Sequence, residues 1–173
     1  LLKQCEEVYV IGFSMGGLIA AYLATHYPVR KLVLLSAAAQ YINTKQLLVD
    51  IREMVKDFQK GSLQENELFR RYRTKFTLTP ISATIEFRKV VTEVRPLLKQ
   101  ITIPTLIAQG LADGIVPPKS AEYLYKRIPS REKQLIYFAD AKHHICYTEN
   151  REVLFRKVFS FLQKTKERHE TGH

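Results

Sequence analysis

Between Val8 and Pro28 the sequence passes from a β-rich apolar stretch through Gly12-Phe13-Ser14-Met15-Gly16-Gly17 into a second apolar stretch, GLIAAYLATHY. This glycine-flanked serine constrains the fold more than any other feature of the chain. Residues 6–13 read as a short strand. Leu18, Ala21, Tyr22 and Thr25 then recur at helical spacing, with Pro28 as the stop. A serine between a strand and a helix sits on a sharp, strained turn, and its neighbours Gly12 and Gly16 are expected to have almost no room for a side chain. The helix that follows aims its first amides at the same point, where negative charge would be stabilised.

The rest of the chain repeats the strand–helix alternation. Apolar runs at 31–37, 101–109 and 133–138 are buried-strand candidates, and helical patterns follow over Pro118 to Arg127 and 151–164. Such alternation predicts an α/β fold, a parallel sheet flanked by helices. The middle is different. Asn43 and Gln46 have capping-box spacing before a helix carrying Leu47, Leu48, Ile51, Met54, Val55 and Phe58, with Gly61 closing it. A second helix carries Leu68, Phe69, Tyr72 and Phe76. A third carries Phe87, Val90, Val91 and Val94 and is expected to end before Pro96. Three helices without a strand between them predict an insertion sitting over the sheet; such helices usually only pack, and a lid is the sharper reading. The tail 167–173 has nothing to bury and should fray.

Residues 8–29 contain no Asp, Glu, Lys or Arg, a length that could span a bilayer, and Gly12 and Gly16 match a helix-pairing spacing. The β-branched and aromatic crowding before Gly12 and the paired glycines fit a strand, turn and helix better, so no stable membrane insertion is expected. A net charge of +10 raises nucleic acid as a partner. The basic residues are scattered among acidic ones, and no zinc-ligand spacing or aromatic RNA-binding signature accompanies them, so no nucleic acid and no metal are expected. Cys5 and Cys146, far apart, suit a reducing compartment better than a disulfide framework.

A serine hydroxyl is a poor nucleophile unless a base, itself held by a third group, takes its proton. Both partners follow in chain order. Asp113 lies in GLADGIVP after the run 101–109, and His143 lies in AKHHI after the run 133–138. Each then falls just past a strand's C-terminal end, the edge at which open parallel sheets build sites. Asp140 competes as the acid and His144 as the base. Cys146 has no elbow around it and reads as packing.

GFSMGG, GLADGIVP and KHHI in this order resemble the α/β-hydrolase superfamily, and within it the bacterial carboxylesterase and monoacylglycerol-lipase group, over residues 6–164. The resemblance implies an α/β-hydrolase fold with Ser14 as nucleophile, Asp113 as triad acid and His143 as base, with His144 in an apolar slot. It implies a helical cap inserted over 41–98 in a core of 1–40 and 99–173, one oxyanion donor in the Met15 backbone N–H, a small-molecule ester as substrate, and no cofactor. In such proteins several strands, and a loop with a second oxyanion donor, precede the elbow strand, whereas only seven residues precede Val8 here. This chain is therefore expected to be the C-terminal portion of that fold. With no leader-like segment at Leu1, a cytoplasmic protein is expected. A non-catalytic binding protein or an inactive fragment on the same fold is the rival expectation.

Overall fold

The computed structural model describes residues 4–40, 81–149 and 151–164. The first two expected cap helices and the tail 167–173 lie outside them. Four strands form one parallel sheet: β1 (Tyr9–Phe13), β2 (Lys31–Leu35), β3 (Thr105–Gly110) and β4 (Lys133–Phe138). They lie in sequence order, β1-β2-β3-β4, with Ile11 beside Val33, Leu34 beside Ile107 and Ala108 beside Ile136. Each parallel step needs a crossover. The described helices are α1 (Met15–His26), α2 (Ile81–Leu97), α3 (Lys119–Arg127) and α4 (Arg151–Gln163).

Strand periodicity sorts the side chains into two cores. Leu32, Leu34 and Ile107 point to one face, where Leu18 and Ala21 of α1, Val91 and Val94 of α2, and Ala121 and Leu124 of α3 cover them. Val33, Leu35, Leu106 and Ala108 point to the other, against Leu154 and Phe161 of α4. β2 and β3 are buried along their whole length, as strands covered on both faces must be. β1 alternates instead, because among the described residues α1 packs on one of its faces while Tyr9, Ile11 and Phe13 on the other stay exposed.

Several expectations shift. Tyr22 of α1 is exposed and stacks on His26, with ring centroids 4.0 Å apart, so the buried stripe is Gly17, Leu18, Ala20 and Ala21. β3 begins at Thr105 rather than at 101, because the nitrogen of Pro104 has no hydrogen to give to a ladder, although its carbonyl accepts from Leu32 N–H at 3.0 Å. α2 runs through Pro96 and continues as a 3₁₀ turn, Leu98–Gln100. Proline so near a helix end removes little, and burial of Val94 and Leu98 on either side holds the turn in place. Of the expected cap, α2 is the described part, and Val91 and Val94 pack it into the same core as α1 and the sheet.

Two lysines that the sequence reading did not single out begin strands and tie helix ends to the sheet. Lys31 is buried, and its Nζ donates to the carbonyls of Phe161, Leu162 and Lys164 at 2.6–2.7 Å, closing the C-terminus of α4. Burial pushes its pKa below the usual lysine value. Lys133 does the same for α3, donating to Tyr125 and Ile128 carbonyls at 2.7 and 2.8 Å.

Candidate active site

The turn between β1 and α1 carries the strain its sequence implied. Ser14 has φ 54° and ψ −122°, a backbone region that L-residues avoid at a cost of about 1–3 kcal/mol. Hydrogen bonds hold it there. Ser14 N–H donates to the Leu35 carbonyl at 2.9 Å, and the Ser14 carbonyl accepts from Gly17 N–H at 3.1 Å and Ala38 N–H at 3.2 Å. The end of β2 thus clamps the elbow from the side.

The glycines divide differently from the motif. A Cβ on Gly12 would lie 2.3 Å from the Gly16 carbonyl oxygen and 2.6 Å from Gly17 Cα, and one on Gly17 would lie 2.4 Å from Ala37 Cβ. A Cβ on Gly16 meets nothing within 4 Å among the described residues. The expected steric demand therefore holds at Gly12 and, unforeseen, at Gly17, but not at Gly16. Accordingly Gly12→Ala should destabilise the protein by about 3 kcal/mol, because backbone on the far side cannot yield. Gly16→Ala, inside α1, should be neutral or stabilising by up to about 1 kcal/mol. Denaturant midpoints of the two variants check this, and equal losses would count against it.

Ser14, Asp113 and His143, distant in sequence, meet at the C-terminal ends of β1, β3 and β4. Ser14 Oγ–H donates to His143 Nε2 at 3.0 Å, and His143 Nδ1–H donates to Asp113 Oδ2 at 2.9 Å. An ionised carboxylate only accepts, which puts the imidazole proton on Nδ1 and leaves Nε2 free to accept. The Asp113 carboxylate is fully buried and the His143 imidazole nearly so. Asp113 Oδ1 accepts the N–H groups of Ile115 and Val116, both at 2.8 Å. The loops touch because Gly110, at the end of β3, has no side chain: a Cβ there would lie 2.1 Å from the Ala141 carbonyl.

The competing residues sit elsewhere. Asp140 is exposed. His144 is exposed too, which corrects its expected apolar slot. Along 141–145 burial alternates, with Ala141, His143 and Ile145 inside and Lys142 and His144 outside, because Ile145 N–H donates back to the His143 carbonyl at 2.8 Å in a tight turn with His144 at its apex. Outside, the His144 ring lies 5.9 Å from that of Phe13, and Phe13 also flanks His143 at 5.0 Å. Cys146 is half-buried, and burial pushes its thiol pKa up, opposite to what a nucleophilic cysteine requires. The Met15 N–H, at the first position of α1, has no intrahelical acceptor. Such a constellation can activate a hydroxyl for attack on a carbonyl.

A parallel sheet with helices on both faces and a serine at a strained strand–helix turn define an α/β hydrolase. The chain belongs to the family described as serine aminopeptidase, S33, which matches residues 2–150. Among curated relatives, it is 21% identical over 159 residues to a carboxylesterase of Bacillus subtilis (strain 168), covering 92% of this chain and 65% of that protein. It is 24% identical over 166 residues to a thermostable monoacylglycerol lipase of Bacillus sp. (strain H-257), covering 95% and 66%. The chain thus spans about two thirds of the length of these relatives. The solved structure of a Paleococcus ferrophilus monoacylglycerol lipase matches with a TM-score of 0.64 at 18% identity, covering 91% of this chain and 68% of that one. Among the described residues, no helix is long and apolar enough to cross a membrane.

Proposed function

We propose that this chain carries the catalytic serine, acid and base of a carboxylic-ester hydrolase. The observation that supports it most is the unbroken relay from Ser14 through His143 to buried Asp113, with Ser14 held at positive φ. His143 Nε2 takes the Ser14 proton as Oγ attacks the ester carbonyl carbon. The oxyanion that forms is met by the Met15 N–H. As the tetrahedral intermediate collapses, the C–O bond to the alcohol breaks and His143 returns the proton to the leaving oxygen. Water, deprotonated by the same imidazole, then hydrolyses the acyl-serine and restores Ser14. Asp113 stays ionised, orients His143 and stabilises its cationic form.

The substrates that suit the site are neutral esters of short to medium acyl chain, or monoacylglycerols. Half-exposed Met15, Leu111 and Ile115 accompany Phe13 around the relay. The segment 41–80 carries Leu47, Leu48, Ile51, Met54 and Phe58, a supply of apolar side chains that suits an acyl slot. The names of the relatives, carboxylesterase and monoacylglycerol lipase, agree with an ester as substrate. The unpaired Cys5 and Cys146 suit a reducing, cytoplasmic setting.

A fluorophosphonate probe should label the full-length product of the gene at Ser14, and p-nitrophenyl ester turnover should rise from acetate to medium acyl chains. Preference for acetate would contradict an extended apolar slot. Faster cleavage of aminoacyl p-nitroanilides than of any ester would make the protein a peptidase. Neither labelling nor turnover would leave a binding protein on a hydrolase fold.

A further inference from the structure

The Asp113 carboxylate has a partner that the relay itself does not call for. Gln109, in β3, is fully buried. Its Nε2 lies 3.0 Å from Asp113 Oδ2, 3.2 Å from the Gly110 carbonyl and 3.2 Å from the Val116 carbonyl. All three neighbours are acceptors, so the amide nitrogen, not the oxygen, must face them. The other end of the side chain gains nothing: among the described residues, Oε1 is buried without a hydrogen-bond partner. An unsatisfied buried acceptor lowers stability and calls for an explanation. The preceding residues of β3 (Leu106, Ile107 and Ala108) are buried and apolar, and methionine or leucine of similar volume at 109 would fill the same space without the orphaned Oε1. Packing therefore does not account for the amide.

The bonds it makes do. Oδ1 of Asp113 is pinned by two backbone N–H groups, whereas Oδ2, the oxygen that receives His143 Nδ1–H, has Gln109 as its other donor. The same amide nitrogen reaches carbonyls at both ends of the loop carrying Asp113. We infer that Gln109 is a positioning residue, which clamps Oδ2 and braces the 111–116 loop so that the carboxylate meets His143 in one fixed orientation. This rests on the hydrolase reading above. A charge-assisted bond of this kind is stronger than a neutral one, and fixing the acid fixes the imidazole that must face Ser14.

The test is Gln109→Met in the full-length protein. It should lower kcat about tenfold with KM changed less than about twofold, since orientation of the relay matters in the transition state rather than in binding. Fluorophosphonate labelling should slow in parallel, and the downfield proton resonance of His143 Nδ1–H should broaden or vanish, with Tm lowered as the three bonds of the amide are lost. Unchanged kcat and an unchanged His143 resonance overturn the inference, as does a lower Tm with both intact. If the variant does not fold, the wild-type protein decides. The Gln109 carboxamide protons should exchange slowly and shift on Asp113→Asn; rapid exchange or no shift overturns the inference. A wild-type protein with no labelling and no turnover refutes the hydrolase reading instead, and the His143 resonance still reports on Gln109.

Discussion

Ser14→Ala, His143→Ala and Asp113→Asn should each lower ester turnover by the full-length protein by about 10⁴-fold or more, with little change in Tm. The three groups work as one relay, so their losses should not add. Without Ser14 there is no acyl-enzyme, and without His143 the hydroxyl keeps its proton. With asparagine at 113 the imidazole is no longer held in the tautomer that accepts from Ser14 Oγ. The double variant Ser14→Ala/His143→Ala should be about as poor as either single one. Fold should survive, because these side chains lie at the sheet's rim rather than in its two cores, and asparagine at 113 keeps an oxygen to accept the Ile115 and Val116 N–H groups. His144→Ala is the matched control: its exposed ring lies outside the relay, and it should keep most of the turnover. Steady-state rates and melting curves of the five variants check the set. A dead His144→Ala beside an active His143→Ala would overturn the assignment of the base.

The second large effect concerns the sheet edge. Among the described residues, β1 presents Tyr9, Ile11 and Phe13 with 39%, 50% and 36% of their surface exposed and pairs with β2 on one side only. On the neighbouring α4, Phe155 and Phe159 are exposed as well, and Phe159 shares a surface groove with Tyr9. An apolar strand edge beside exposed aromatics is a template for pairing with other chains. Residues 1–173 should therefore associate into oligomers or aggregates. Ile11→Lys, which puts a charge on that edge, should shift the sedimentation profile toward monomer. A monodisperse monomer from the unmodified 173 residues would show that the edge is not adhesive.

The elbow was legible because its cause is local. A strand, a turn too tight for side chains and a helix lie within twenty consecutive residues, and Gly12-Phe13-Ser14-Met15-Gly16 records all three. The strands were legible as continuous apolar runs, since β2 and β3 are covered on both faces and need no alternation. Less visible were features whose cause lies across the fold. Tyr22 follows the helical spacing of the buried stripe, yet it falls on the face of α1 away from the sheet. Lys31 and Lys133 look like solvated charges until the ends of α4 and α3 come down upon them.

By itself, the amino-acid sequence determined the parallel α/β class, the strained serine turn and the order in which serine, acid and base arrive along the chain. Only the tertiary structure decided among neighbours. Asp113 rather than Asp140 is buried behind His143, and His143 rather than His144 faces inward because Ala141 and Ile145 on either side are buried. Gly12 and Gly17, not Gly16, are the glycines without room, and Gln109 belongs to the site although no motif contains it. The physical reason is the same in each case. Periodicity and turn chemistry act between residues a few positions apart, whereas the contact of Ser14 with His143 joins groups 129 positions apart. Which side chain of an adjacent pair makes such a contact depends on the direction in which a loop leaves its strand, and packing sets that direction.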